Sequence, residues 1–97
     1  MKDLIDIHTH SISSGHAYST VQENLQIAKE KGLKYYGLSD HGPELEGTCS
    51  WLHFSNLKNF PKQVYGLNFL AGIELNVMDY DGNVDDMPPF VVPALDY

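Results

Sequence analysis

The sequence predicts an α/β fold made mainly of parallel strands. Short apolar runs alternate with an amphipathic segment in the order strand, helix, strand. Units of this order form parallel strands joined by right-handed crossovers. Polar and ionisable residues follow the three main apolar runs, and functional groups of parallel sheets collect where the strands end. The chain of 97 residues is long enough for one small domain, and we expect residues 1–97 to form a single domain.

Local signals mark the first strand and the first helix. Residues 4–8 form an apolar run of the kind found in buried strands. Ser19 or Thr20 can cap the helix that follows, and Glu23 stands three residues after Thr20, which is the spacing of a capping box. Apolar residues then recur at helical spacing until Gly32, a suitable residue just beyond a helix end.

Two more strands are predicted on either side of a long irregular segment. Residues 35–39 predict the second strand and residues 67–74 predict the third. Residues 42–65 contain aromatic side chains and proline without a clear period. We therefore expect only a short helix there, near residues 55–64.

The C-terminal quarter predicts turns. The pair Asp81-Gly82 lies between two short runs, which is a hairpin signal. Pro88-Pro89 interrupts the chain after the hairpin, and residues 94–97 have the pattern of an entry to another strand.

Histidines and a glutamate at the predicted strand ends indicate a metal site. His8 and His10 end the first strand, and the period of two along a strand places both on one face. Glu74 ends the third strand and adds an oxygen ligand, while His16 and His41 can hold a second ion nearby. These ligand types suit zinc, manganese or iron, and such ions can activate water and clamp a phosphoester. The alternative is a set of solvated surface histidines.

Two acids stand beside the predicted ligands. Asp6 shares the strand face expected for His8 and His10, and Asp40 directly precedes His41. Carboxylates in such positions orient ligating imidazoles by accepting a hydrogen bond from the ring. The alternatives are an ordinary strand-edge acid at position 6 and a loop-starting acid at position 40.

The long irregular segment and the loop after the first strand supply further candidates. His53 is the candidate catalytic residue, either as a contact to substrate phosphate or as a general acid, and the alternative is a histidine packed among aromatic side chains. We expect Cys49 to be exposed in its loop and not to bind metal. Ser11, Ser13 and Ser14 lie near histidines but no nucleophile elbow surrounds them, so they are predicted to be polar loop residues.

Composition excludes several functional classes. The 13 acidic and 6 basic residues give a net charge of −7, which argues against a nucleic-acid surface. A single cysteine cannot form an internal disulfide, which favours a reducing compartment and a cytoplasmic location. No apolar stretch has the length of a signal sequence or a membrane span, so no membrane partner is expected.

Three motifs together resemble the PHP family, which is named for polymerase and histidinol phosphatase. They are Asp-Ile-His-Thr-His-Ser at 6–11, Gly-Leu-Ser-Asp-His-Gly at 37–42 and Gly-Ile-Glu-Leu-Asn at 72–76. The phrases at 16–20 and at 53–54 are similar to the stand-alone bacterial phosphoesterases of that family.

This resemblance implies a distorted βα barrel, of which the chain would be the incomplete N-terminal part. It implies a three-metal site in the complete barrel, with one or two ions held here and His53 beside them. The ligands it implies are His8, His10, His16, His41 and Glu74. We therefore expect a metal-dependent phosphoesterase acting on a small phosphate ester, or its metal-binding part. The alternative is an incomplete metal-binding fragment that forms a homodimer or docks to a complementing chain.

Overall fold

A four-stranded open sheet organises the computed structural model, which describes residues 4–97. The strands are β1 (Leu4–Thr9), β2 (Leu33–Leu38), β3 (Gln63–Val64) and β4 (Leu67–Ala71). β1, β2 and β4 are parallel neighbours in that order, and the short β3 pairs antiparallel with β4. The predicted α/β fold of mainly parallel strands is confirmed. Within the described residues the sheet does not close into a barrel, as expected of a partial PHP fold.

Helix α1 (Val21–Glu30) joins β1 to β2 and begins at the predicted capping box. The hydroxyl of Thr20 accepts a hydrogen bond from the backbone N–H of Glu23 at 3.2 Å, and the Glu23 carboxylate accepts one from the Thr20 N–H at 3.0 Å. This reciprocal pair satisfies N–H groups that the first turn of a helix leaves free. Gly32, just past the helix, has a φ of +80°, a conformation that glycine adopts without a steric penalty.

The second helix, α2 (Trp51–Asn56), lies in the irregular segment but begins earlier than predicted. Its cap is Ser50, and it continues into a 3₁₀ turn over Leu57–Asn59. The expected position near residues 55–64 is therefore wrong at both ends. A serine cap leaves no periodic trace in the sequence, and Pro61 then prevents any extension of the helix.

Strand β1 lies at the edge of the sheet, and its apolar side chains are about half exposed. Leu4, Ile5 and Ile7 expose 47%, 58% and 48% of their surface. The prediction of a buried strand is wrong for the described chain, because β1 has β2 as its one neighbour there.

The pairing of β1 with β2 is also irregular near the predicted ligands. Asp6 pairs with Tyr36 and Thr9 pairs with Leu38, so β1 uses one more residue than β2 between these two pairs. An extra residue of this kind is a bulge, which bends the strand and interrupts the alternation of its side chains.

The hydrophobic core joins α1, α2, β2 and β4 on one side of the sheet. Phe69 of β4 contacts Phe60 and Tyr36, with ring centroids 4.4 and 6.3 Å apart respectively. Burying an aromatic or aliphatic side chain of this size stabilises the fold by about 1.5–3 kcal/mol. The largest fully buried apolar side chains are Phe54, Phe69, Leu25, Leu38, Leu67 and Val91.

The hairpin predicted at Asp81-Gly82 is present. Val77 and Val84 form an antiparallel bridge, and Gly82 has a φ of +82° at the turn. The chain also forms short 3₁₀ turns at Ile12–Ser14 and Val92–Ala94.

The C-terminal residues cross the end of β4 and do not form the predicted strand. The backbone N–H of Asp96 donates to the carbonyl of Ala71 at 2.7 Å. The hydroxyl of Tyr97 donates to the carbonyl of Ile7 at 2.5 Å and lies close to Gly37, while the Tyr97 ring lies against Gly72. A side chain at either glycine would collide with Tyr97. The N–H of Ala71 also donates to the Asp96 carboxylate at 2.8 Å, and Lys62 pairs with the same carboxylate at 3.0 Å. These contacts hold the tail beside β4 without forming a strand.

Candidate metal centre

The ends of β2 and β4 bring His41 and Glu74 side by side. Beyond the regular strands these two residues form one more parallel bridge. The N–H of Glu74 donates to the carbonyl of Asp40 at 3.0 Å, and the N–H of Gly42 donates to the carbonyl of Glu74 at 2.9 Å. Parallel strands thus deliver their following residues to one edge of the sheet, as predicted.

Glu74 lies at the centre of a group of imidazoles. Its Oε1 is 3.1 Å from Nε2 of His8, and its Oε2 is 3.5 Å from Nε2 of His10 and 2.8 Å from Nε2 of His41. The ligand atoms of His8, His10 and Glu74 all lie within 4.8 Å of one another. The two carboxylate oxygens therefore face different imidazoles.

His16 completes the group from the loop after β1. Its ring centroid lies 4.9 Å from that of His41 and 5.6 Å from that of His10. Gly15, which precedes it, has a φ of +81° and lies so close to Gly47 that any side chain would overlap the backbone there. The structure thus brings all five predicted ligands together; we call His8, His10, His16, His41 and Glu74 the Glu74 cluster.

The atoms of this cluster fit a divalent metal ion. Glu74 Oε2 and His41 Nδ1 are buried and have no hydrogen-bond partner within the described residues. The 2.8 Å approach of His41 Nε2 to that oxygen does not have hydrogen-bond geometry. Buried polar atoms almost always have a partner, and an ion between imidazole nitrogens and a carboxylate would supply one to Oε2.

The shifted pKa values of His10 and Cys49 indicate that the imidazole suits a metal ion and the thiol does not. Burial lowers the pKa of His10, although the nearby charge of Glu74 opposes this, and a neutral imidazole is the form that binds metal. Burial, with the charge of Asp40, raises the pKa of Cys49 to about 11, so its thiol stays protonated at neutral pH. Cys49 packs partly buried against the core, so the expectation of an exposed loop cysteine is wrong.

Asp40 is fully buried and accepts four hydrogen bonds. Oδ1 accepts from the Ser11 N–H at 2.6 Å and the Ser14 hydroxyl at 2.8 Å; Oδ2 accepts from the Ser11 hydroxyl at 2.8 Å and contacts Nε2 of His53 at 3.1 Å. Burial alone would raise the pKa of Asp40, but these donors, led by His53, lower it to about 2. Asp40 is therefore a buried charge, and it reaches the imidazole of His10 through Ser14.

Asp6 does not contact the imidazoles it was predicted to orient. Its carboxylate accepts a hydrogen bond from the backbone N–H of His8 at 3.2 Å, and it makes none to an imidazole within residues 4–97. Asp6 and His10 line the same cavity of about 420 Å³, whereas His8 lines a different cavity with Glu74. The bulge in β1 explains the difference, because the expected shared face assumed strict alternation.

His53 lies next to Asp40, and no contact with Glu74 is found among the described residues. Its Nε2 contacts the Asp40 carboxylate, and its ring meets the edge of Phe54 with centroids 4.9 Å apart. The geometry thus contains features of both interpretations, a position beside the site and a packed aromatic neighbour. Its catalytic role stays a prediction.

Ser11 and Ser14, which the sequence predicts to be polar loop residues, both donate hydrogen bonds to the buried carboxylate of Asp40. Each hydroxyl donates to Asp40 at 2.8 Å, and Ser14 also contacts His10. The sequence signal was the spacing of two small polar residues directly after the His-x-His motif, where a tight turn can point both hydroxyls inward.

Asp85 is a second buried acid that the sequence did not indicate. It is 6% exposed, and Oδ1 accepts from the Glu44 N–H and the Asn76 side chain, both at 2.8 Å, while Oδ2 accepts from the Asn76 N–H at 2.6 Å. Burial alone would raise the pKa of Asp85, but these N–H donors, led by Asn76, lower it. Asp85 therefore fastens the hairpin to the segments that follow His41 and Glu74.

Comparison with known proteins identifies the family to which this chain is similar. The chain matches the PHP domain family over residues 6–92. It is similar to proteins named probable phosphatase from Thermoanaerobacter sp. (strain X514), at 46% identity over 96 residues, and from Acetivibrio thermocellus, at 44% over 97 residues. The same name is given to a relative from Clostridium novyi (strain NT), at 45% identity over 96 residues.

These alignments cover 99–100% of this chain but 39–40% of the relatives. The chain therefore spans about two fifths of the length of the curated relatives it matches. Since the match runs through residues 6–92, which include every member of the Glu74 cluster, the chain belongs to the PHP domain family.

Proposed function

We propose that this chain is a metal-dependent phosphoesterase, or the N-terminal metal-binding part of one. The observation that carries the proposal is the convergence of His8, His10 and His41 on the carboxylate of Glu74, at 3.1, 3.5 and 2.8 Å. The similar proteins are named probable phosphatases, which supports a phosphate ester as the substrate class. With 13 acidic and 6 basic residues, a small phosphate ester suits the chain better than a nucleic acid.

We propose a metal-binding role for each side chain of the Glu74 cluster. His8, His10 and Glu74 hold one ion, and His41 with His16 holds a second, with zinc, manganese or iron as the candidates. A complete family site would hold three. Bound ions supply Lewis acidity and an activated water for attack on phosphorus.

The neighbouring residues have proposed parts that do not require them to bind metal. Asp40 orients the cluster through its hydrogen bonds. His53 directs Nε2 at Asp40, while its Nδ1 makes no hydrogen bond within the described residues. When both ring nitrogens of His53 carry a proton, Nδ1 can donate to a phosphate oxygen or act as a general acid. Among the described residues, Asp6 makes no hydrogen bond to an imidazole that would support an orienting role.

Metal content and hydrolysis test the proposal together. We expect purified protein to contain stoichiometric metal by elemental analysis, and to hydrolyse p-nitrophenyl phosphate faster when manganese or zinc is added. The double variant His8→Ala/His10→Ala should lose stoichiometric metal. Glu74→Gln should weaken metal affinity by more than about 10-fold, since residues that only orient ligands already change it by roughly 10–100-fold.

Glu46→Gln is the matched control, because Glu46 is an exposed glutamate outside the cluster. It should keep both metal and activity. Unchanged metal content in the double histidine variant would contradict the metal assignment.

A second candidate is a metal-binding part without turnover that pairs with another chain. Two observations favour it: the chain spans about 39% of the relatives, and Leu4, Ile5 and Ile7 are about half exposed on the free edge of β1. Stoichiometric metal without hydrolysis in the isolated chain would support this candidate over the first.

The cellular location is also a proposal. No helix within residues 4–97 is long and apolar enough to cross a membrane. The single cysteine is the basis for proposing the cytoplasm, and cell fractionation tests it.

A further inference from the structure

Ser14 joins the buried carboxylate of Asp40 to two members of the Glu74 cluster. Its Oγ lies 2.8 Å from Asp40 Oδ1, 3.0 Å from Nδ1 of His10 and 3.0 Å from the backbone N of His41. Ser14 is 1% exposed, so water does not compete for these contacts. The hydroxyl therefore has three protein neighbours and must satisfy all three with one proton and two lone pairs.

The direction of each hydrogen bond follows from counting donors. An ionised carboxylate only accepts, so the hydroxyl proton of Ser14 goes to Asp40. The N–H of His41 only donates, and it occupies one lone pair of Oγ. The remaining lone pair faces Nδ1 of His10, and a 3.0 Å contact between two lone pairs would be repulsive. Nδ1 of His10 must therefore carry a proton and donate it.

The opposite arrangement removes one of the four donors from a buried charge. If the hydroxyl of Ser14 donated to an unprotonated Nδ1 of His10, Oδ1 of Asp40 would face a lone pair at 2.8 Å. Asp40 is fully buried, and removing a donor from a buried carboxylate is unfavourable.

We propose that Ser14, held by Asp40, is a positioning residue that fixes His10 as the Nδ1-protonated tautomer. Nε2 of His10 then carries the lone pair, and it lies 3.5 Å from Oε2 of Glu74, where the cluster would hold an ion. A histidine without such a partner is free to place its proton on either nitrogen. Only the expected effect on metal affinity rests on the proposed function. The tautomer itself is a property of the metal-free protein.

The tautomer can be measured directly. We would label the full chain with ¹⁵N, remove metal with a chelator, and record two-bond ¹H–¹⁵N correlations of the histidine rings at about pH 8. Wild-type His10 should show a protonated Nδ1 and an unprotonated Nε2. A wild-type His10 protonated at Nε2 would overturn the proposal, whether or not any variant folds.

Variants extend the test to the hydroxyl itself. Ser14→Ala should release His10 into a mixture of tautomers and weaken Zn²⁺ affinity about 10-fold, measured by competition with a chromophoric chelator. Ser14→Thr keeps a hydroxyl and should restore the wild-type tautomer. Ser13→Ala is the matched control, because Ser13 belongs to the same 3₁₀ turn and its hydroxyl makes no hydrogen bond within the described residues.

The two proposals fail in different ways. An unchanged His10 tautomer and unchanged Zn²⁺ affinity in Ser14→Ala would overturn the role of Ser14. Absence of metal binding in the wild-type chain would overturn the proposed function, while the ¹⁵N spectrum would still report the tautomer.

Discussion

At the scale of single residues, two buried carboxylates hold the loops that carry the cluster. Asp40 accepts hydrogen bonds from the turn after β1, and Asp85 accepts them from the segments after β2 and β4. Each accepts N–H groups that would otherwise be buried without a partner, since Asp85 serves Glu44 and Asn76. Among the contacts of the described residues, neither carboxylate binds the Glu74 side chain, but both hold the backbone next to it.

Replacing Asp85 by Asn tests this holding role. The amide keeps the shape of the side chain but presents an NH₂ group to one of the N–H donors, so a buried hydrogen bond is lost. We expect the free energy of unfolding to fall by about 1.5–3 kcal/mol in urea titrations, the range for hydrogen bonds to charged groups. Asp81→Asn, which changes an exposed acid in the same hairpin, should leave stability nearly unchanged.

The same variant has a pH signature with a defined sign. The folded pKa of Asp85 lies below the unfolded value of about 3.9. Its contribution is therefore fully present above the unfolded pKa and is lost as the pH falls through the folded pKa. The stability difference between wild type and Asp85→Asn should shrink on acidification from about pH 6 to about pH 3. A constant difference across this range would contradict the assignment.

At the scale of elements, α1 is the part of the fold whose limits follow from local chemistry. Thr20 and Glu23 set its start, Gly32 follows its end, and each acts within a few residues of the helix end it sets. Nothing distant is needed to place such a helix, which is why its bounds were predicted closely.

Thr20→Ala should weaken α1 at its first turn. Loss of the hydroxyl that accepts the Glu23 N–H should lower the free energy of unfolding by about 1 kcal/mol, measured by thermal or urea denaturation. Gln22→Ala, at an exposed position inside the helix, is the control and should have little effect. Equal losses in the two variants would argue against the cap.

The three parallel strands and the meeting of His8, His41 and Glu74 were predictable from the strand–helix–strand order, because parallel strands end at one edge. Other features depend on contacts that the sequence does not show. The start of α2 and the role of Ser14 depend on distant partners. The exposure of β1 depends on which strand lies beside it, and the bulge depends on its pairing with β2.

At the scale of the whole molecule, β1 is the edge strand of the sheet that residues 4–97 form. It pairs with β2 on one side, and its apolar side chains are about half exposed. Free strand edges with apolar residues promote pairing with another chain, and charged residues prevent it. The prediction that the chain forms a homodimer or binds a complementing chain follows from this edge.

Light scattering at several concentrations tests it. The apparent mass of wild-type protein should rise with concentration, and Ile5→Lys should shift it toward the monomer because lysine charges the edge. Leu52→Lys is the control, since Leu52 is an exposed apolar residue on α2. A wild-type chain that stays strictly monomeric at high concentration would contradict the prediction of self-association.

Because of the bulge in β1, selection for thermal stability and selection for metal retention should favour different sequences. Deleting Ile7 would let Asp6 and Thr9 pair with β2 in step, and the ladder would gain regular hydrogen bonds. The same deletion would move His8 one position along the strand and turn its side chain to the other face. Mutation and screening for thermal stability alone should therefore favour shortened strands that have lost an imidazole from Glu74. Screening for metal retention should keep the longer and less regular strand.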